Sequence, residues 1–527
     1  MKAHLVVALW ACLLLVEMSP LHRNSMASGD QAMYEAIDEY ITSRMRADRI
    51  PGVALALVKG DQIVYLKGYG RADQSGRPVT PQTPFLIGSI TKTFTALAVM
   101  QLVEAGEVEL DAPVQHYIPW FRVADPEASA RITVRMLIEQ TSGLPQNPTF
   151  VTWSWPNEAD SIERHVHLLA DVKLVFPPGQ SFAYSNGNYA TLGMIVQVVT
   201  GESYEDYIRQ HIFAPLAMQH SYVSQEAAMQ DGMARGYRWV FGYPIPATLP
   251  FSRANLPAGF AISSAEDMAH YLVAQMNGGR YQRNSILSPE GIALMQAEPP
   301  PGVYGLGWES LRLNGHRLIN FDGATGNYQA SLFIDPEERV GVFVTANVMS
   351  ALDGLSSSRS TSSLGARSAA ELIHRLFGQD KNRASFVSAL ITTRGIAQSV
   401  LNTATHHPLP SQGPGQRRVA LIVFLVILGL TGTLILSLAR IPEWYGQLAM
   451  HGIPSLSDLT WRVGIIAIVH LIWPLALLYV ALKIPYWIII SLYQPDLILW
   501  LESLAAVMFL KGILQIVLAW RVFWQMH

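Results

Sequence analysis

The chain has 527 residues, and its 37 Lys and Arg nearly match its 40 Asp and Glu, for a net charge of −3; with no basic block, it lacks the field that nucleic-acid binding requires. Half of the residues are hydrophobic and only 15% are charged, with a mean hydropathy of +0.21, a balance that assigns part of the chain to lipid. One cysteine, Cys12, excludes a disulfide framework and a zinc–thiolate site.

In chain order, Lys2 followed by the apolar run Leu5 to Val16 has the length of a signal-peptide core rather than a membrane span, and "SMAS" offers small residues for cleavage near Ala27. A signal peptide over 1–27 is therefore expected, and its removal takes Cys12 with it. A helix follows in "DQAMYEAIDEYITSRMRAD". Two strands come next, "GVALALVKG" and "QIVYLKGYG", turning at Gly60-Asp61. Helical patterns occupy 89–105, 186–200 and 203–212, and a second strand–turn–strand, "YQASLFID" and "RVGVFVTAN" about "PEE", closes the segment. Strands at both ends with helices between predict an α+β fold: an antiparallel sheet built from both chain ends, flanked by helices and an all-helical subdomain.

This domain is expected over 31–380, with a linker over 381–418 that includes the Pro- and Gly-bearing "HHPLPSQGPGQRR". The region 419–527 predicts about three membrane helices, 419–438, 463–482 and 497–520, the last containing Glu502 and Lys511. Arg and Lys are balanced across the spans, so orientation follows from the signal peptide. The expectation is a multi-pass cell-membrane protein, held by lipid contact through its C-terminal helices, with its N-terminal domain on the extracytoplasmic side.

Chemistry concentrates in "GSITKTFTALAVMQLVEAG", 88–106. The helix is apolar on nearly every side, hence buried, yet Lys92 lies in its first turn, where dipole and burial both oppose a cation. Ser89 reads as an ordinary N-cap, but a capping box would put Glu or Gln where Lys92 stands. Catalysis accounts for both: at i and i+3 the hydroxyl and amine share a face, and burial keeps the amine neutral enough to take the serine proton. A bare S-x-x-K is common by chance. A second element, "FPPGQSFAYSNGNYATLGMIVQVVTG" (176–201), carries Tyr184-Ser185-Asn186 before an amphipathic helix. Taken singly, Asn186 reads as a helix cap and Tyr184 as a core aromatic.

Together, S-x-x-K and Y-x-N within "PPG…F.YSN..Y…G" resemble the serine β-lactamase and penicillin-binding-protein superfamily, most closely its class C β-lactamase and esterase branch. "TSGLP", "YEDYIRQHIFAPLAM", "AGFAISSAEDMAHYL" and "FIDPEERVGVFVTAN" agree, and the resemblance covers roughly 31–378. It implies that Ser89 is the acylated nucleophile and Lys92 its activating partner. Tyr184 is implied as a shared base that protonates the leaving atom, and Asn186 as a ligand of the acyl side chain or of Lys92. The third motif of the family, K-T-G or H-x-G, falls on Phe321-Asp322-Gly323, with the Ala324 N–H as second oxyanion donor. Phe321 departs from the pattern, as does Gln140 where the family often has His. A phenyl ring cannot pair with a substrate carboxylate, and His316 upstream on the same strand need not reach the site. The resemblance thus implies an ester, amide or short-peptide substrate, small-molecule or envelope-derived. β-lactamase, D-Ala-D-Ala carboxypeptidase and non-catalytic binding are the alternatives. It implies no cofactor. His165 and His167 have a strand-like spacing but no third ligand, so no metal is expected; "VTWSWPNEAD" (151–160) reads as a cleft wall or as core.

Overall fold

The computed structural model describes residues 31, 34–46, 49–146, 157–240, 243–300, 304–313, 316–349, 440–451, 453, 455–467 and 495–526. The expected signal peptide (1–27), the Trp-rich 151–156, the expected linker (381–418), the expected span 419–438 and most of the expected span 463–482 lie outside them.

The chain divides into two units, the first comprising the described residues of 31–237 and 246–349. Its helix α1 (34–46) leads into β1 (Gly52–Lys59) and β2 (Gln62–Gly70). Helices α2 (Thr91–Glu104), α3 (Asn186–Thr200) and α4 (Ala265–Met276) follow, then β3 (Glu309–Leu313), β4 (His316–Ala324), β5 (Gln329–Asp335) and β6 (Val340–Ala346). The sheet order is β2-β1-β6-β5-β4-β3, antiparallel throughout, with β1 from the start of the domain paired to β6 from its end, Val53 opposite Ala346. The fold is the expected α+β arrangement.

Strand periodicity explains the layering. Odd-numbered side chains of β1 and β2 share one face because Val53 lies opposite Tyr69, and Leu55 opposite Lys67. On that face Asp38 of α1 accepts hydrogen bonds from Tyr65, Lys67 and Tyr69. The even-numbered residues Ala54, Ala56 and Val58 belong instead to the main core with α2, α3 and α4. Helix α4 lies directly on the sheet, since a Cβ on Gly341 would sit 3.1 Å from Leu272. Both faces of β1, β5 and β6 are therefore buried, which is why these strands read as continuous apolar runs rather than alternating ones.

Helix α2 is the axis of the helical layer. Every residue from Thr91 to Met100 is buried, as the all-round apolar pattern requires. The pattern 203–212 becomes a helix at Tyr204–Ile208 continued by a π-helical turn, Arg209–Phe213. The pair His165 and His167, read as strand-like, lies on the helix Ser161–His167. At that spacing a helix sends the two rings to different faces. Burial lowers the pKa of His165 to about 4 while its Nδ1 lies 2.9 Å from the Ala254 carbonyl; His167 stacks on Trp120. Among the described residues no group of three His, Cys, Asp or Glu is placed to hold a metal.

The second unit includes α5 (Ile441–His451), α6 (Leu456–Ala467) and α7 (Pro495–Met526), which share a small core of Leu448, Ile453, Leu459, Ala519, Val522 and Phe523. Among the described residues one helix is long and apolar enough to cross a membrane, over Val507–Gln525. Lys511 within it is buried.

Candidate active site

Ser89 sits in a single 3-10 turn, Gly88–Ile90, that feeds directly into α2. It does not cap that helix: Ile90 occupies the N-cap, no side chain bonds there, and the Ser89 hydroxyl turns to other partners. Tyr184 Oη donates to Ser89 Oγ at 2.8 Å, and Lys92 Nζ lies 3.2 Å from the same oxygen. Asn186 is likewise not a cap. It is the first residue of α3, and its Oδ1 accepts from Lys92 Nζ at 2.8 Å. The remaining partner of Lys92 is the main-chain carbonyl of Ala258. The structure thus brings together Ser89, Lys92, Tyr184 and Asn186, which lie as many as 97 positions apart in the chain.

The electrostatics follow from burial. Lys92 is fully buried, no carboxylate among the described residues pairs with it, and desolvation holds its pKa well below the ordinary lysine value. The rings of Tyr184 and Tyr189 lie 4.8 and 5.5 Å from Nζ at their centroids. The same burial raises the pKa of Tyr184, with the hydrogen bond to Ser89 opposing the shift, so its phenol stays protonated. A neutral amine has two N–H groups and one lone pair. Asn186 Oδ1 and the Ala258 carbonyl accept the two N–H groups, which leaves the lone pair for the hydroxyl of Ser89. In that neutral form the hydrogen bonds run one way, Tyr184 to Ser89 to Lys92, whereas a protonated amine donates to Ser89 Oγ instead.

Two glycines let backbone meet backbone beside the nucleophile. Gly88 has φ +57°, and a Cβ there would fall 2.5 Å from the Ala324 nitrogen; one on Gly323 would fall 1.9 Å from the Ile87 carbonyl oxygen. Strand β4 therefore packs its end onto the turn that carries Ser89. The adjoining cleft, about 30 Å³, is lined by Ser89, Asn186, Ala258, Phe260, Ala324 and Thr325 among others, and among the described residues no charged side chain lines it. That volume has room for water.

Phe321 is 1% exposed; its ring packs edge-on to Tyr304, centroids 5.6 Å apart, and Tyr304 stacks with Phe182 at 5.9 Å. Phe182 is 39% exposed, and Val175 and Phe176 on the same segment are exposed too. This aromatic series leads from β4 to the surface. Sequence reasoning missed Tyr304 and Phe182, and also Ala258, whose contribution is a carbonyl that no residue type could announce. The one advance signal for Tyr304 was its place in an aromatic-rich "VYGLGW".

The comparisons with known proteins agree with this geometry. The Beta-lactamase family model matches residues 37–357. Protein flp of Staphylococcus aureus (strain MW2) is 30% identical over 325 residues, 60% of this chain and 63% of that protein, so less than two thirds of the length of that relative is spanned. Penicillin-binding protein 4 of Amycolatopsis lactamdurans is 31% identical over 312 residues, 56% of this chain and 81% of that one. Among solved structures, the octameric penicillin-binding protein homologue from Pyrococcus abyssi aligns with a TM-score of 0.53 and 31% identity, over 59% of this chain and 73% of its own. The family match spans well over half of the 527 residues and contains every residue of the site: the chain belongs to the beta-lactamase family, within the β-lactamase and transpeptidase-like serine hydrolase superfamily.

Proposed function

We propose that this protein is a serine hydrolase that works through a covalent acyl-enzyme on Ser89, cleaving an uncharged ester, amide or short peptide. The observation that carries this reading is the placement of Ser89 Oγ between a protonated phenol at 2.8 Å and a buried amine at 3.2 Å. As Ser89 Oγ bonds to the substrate acyl carbon, its proton passes to the lone pair of Lys92. Lys92 then carries charge next to Asn186 Oδ1 and the Ala258 carbonyl, both oriented to stabilise it. The Ser89 and Ala324 N–H groups face the oxygen that gains negative charge. When the acyl–leaving-group bond breaks, Tyr184 gives its proton to the leaving atom and regains one from Lys92. Water in the cleft then attacks the acyl-enzyme by the reverse proton route, which restores free Ser89.

Specificity follows from what the cleft lacks. A substrate carboxylate needs a cation to meet it, and the lining among the described residues offers none. The Phe321–Tyr304–Phe182 series instead suits an apolar leaving group. An exported enzyme held on the extracytoplasmic face of a membrane by its C-terminal helices fits the N-terminal apolar run and the helix Val507–Gln525.

The test is labelling with a fluorophosphonate, with p-nitrophenyl esters, D-amino-acid amides and a chromogenic cephalosporin assayed side by side. Label on wild type that disappears in Ser89→Ala, with turnover mainly of esters or amides, is expected. No label, or label that survives Ser89→Ala, overturns the nucleophile. Turnover mainly of the cephalosporin overturns the specificity argument.

A further inference from the structure

Tyr184 is held from both sides by one residue. The Ala183 N–H donates to the Gln140 carbonyl at 2.8 Å, and the Ser185 N–H donates to Gln140 Oε1 at 2.9 Å. Asn188 Nδ2 donates to that same Oε1 at 2.6 Å, and Ser142 Oγ donates to Asn188 Oδ1 at 2.6 Å. The Phe182–Ala183 and Tyr184–Ser185 peptide units on either side of Tyr184 are thus fixed through the carbonyl and the side chain of a single position 44 residues upstream.

Gln140 adopts this role under strain. It is fully buried with φ +59°, in the left-handed region that a non-glycine residue rarely occupies. Its Nε2 is buried and has no hydrogen-bond partner among the described residues, a costly condition for an amide. The amide cannot turn over to relieve this, because Nε2 would then oppose the Ser185 N–H. Only the oxygen of the side chain is used, on the Ser185 N–H of the turn that carries Tyr184 and on Asn188 in the first turn of α3.

From this geometry we infer that Gln140 is a positioning residue for the reaction: its Oε1 sets the reach of the Tyr184 phenol to Ser89 and to the leaving atom. The inference rests on the acyl-enzyme reading above. It makes a chemical prediction that packing alone does not. When the phenol is misplaced, proton donation to the leaving atom suffers first, so poor leaving groups are penalised more than good ones.

The experiment compares p-nitrophenyl, phenyl and alkyl esters of one acid, with Gln140→Met and Gln140→Gly as two independent deletions of Oε1. Glycine relieves the positive φ and keeps the carbonyl, so it stays informative if the Met variant folds poorly. Expected are a kcat loss of about 10²-fold on alkyl esters, the scale of a 1 Å misplacement, a much smaller loss on the p-nitrophenyl ester, and a nearly constant KM. Gln140→Glu, which retains an acceptor oxygen, recovers most of the loss. Equal losses on all three esters, or none, overturn the positioning role. Tyr184→Phe separates the two levels of the argument: if it too leaves leaving-group dependence unchanged, the acid role of Tyr184 fails, and if it alone changes that dependence, only Gln140 is wrong.

Discussion

Adding a single methyl at Gly323 tests whether the contact between β4 and the nucleophile turn is catalytic. A Cβ there would lie 1.9 Å from the Ile87 carbonyl oxygen and 3.0 Å from its carbon, against ordinary contact from 3.4 Å. Both sides of this contact are main chain, so no rotamer change relieves it. Strand and turn must part by about 1.5 Å, a displacement that carries the Ala324 N–H away from Ser89. Losing one oxyanion donor costs about 10²–10³ in kcat, or roughly 3–4 kcal/mol, whereas overpacking costs about 1–3 kcal/mol of stability. Gly323→Ala is therefore expected to fold with a lowered melting temperature and to lose at least about 10²-fold in kcat on p-nitrophenyl butyrate. Gly326→Ala is the control. Its Cβ would meet only the end of the Leu249 side chain, at 3.1 Å, and a change within about threefold is expected. Steady-state kinetics normalised to the folded fraction decide the matter. If Gly323→Ala retains kcat within threefold of the control, Ala324 does not serve the oxyanion and the assignment of this strand end is wrong.

Three further outcomes follow from the same geometry. Because burial holds the Lys92 amine below its ordinary range, kcat/KM should climb as pH rises through a single ionisation and then level off, since only the neutral amine accepts the serine proton. Lys92→Arg, which cannot deprotonate, should abolish that limb with a loss of about 10²–10⁴-fold; a limb that persists assigns the ionisation elsewhere. Asp267, buried at the start of α4 beside Ser221 and the His220 N–H, has its pKa raised to about 6 by desolvation. The native state then binds a proton that the unfolded state has released between pH 3.8 and 6, so this group removes stability as pH rises through that window, by about 2–3 kcal/mol at most. Urea midpoints across pH 4–7 should fall relative to those of Asp267→Asn, and parallel curves would rule the contribution out. Phe182→Ser, at an exposed ring, should leave stability within about 0.5 kcal/mol yet lower kcat/KM for aryl esters relative to methyl esters. An unchanged ratio would remove Phe182 from the leaving-group path.

How much of this was legible in the chain depends on whether the constraint is local. Apolar strand-like runs, the turn at Gly60-Asp61 and the all-round apolar α2 are local, and they indicated the sheet from both chain ends and the buried central helix. Lys92 was legible for a related reason, because its charge contradicts its own helix whatever surrounds it. Ser89 and Asn186 misled when read as caps, since capping is a local habit and each side chain is drawn away by a partner about a hundred residues distant. Gln140 stood out in the chain only as a departure from the family pattern, and its role lay beyond such reasoning. Its chemistry is one oxygen, its evidence a left-handed φ and an amide nitrogen without a partner, and neither is a property of the residue type. Phe321 falls between these cases. Its sequence position marked a missing cation, and the structure adds that its buried ring packs on Tyr304, which in turn stacks with the exposed Phe182. A missing charge alone weakens one class of substrate, whereas an apolar wall in its place favours another. On the proposed acyl-enzyme reading, the specificity of this site is to be sought among uncharged leaving groups.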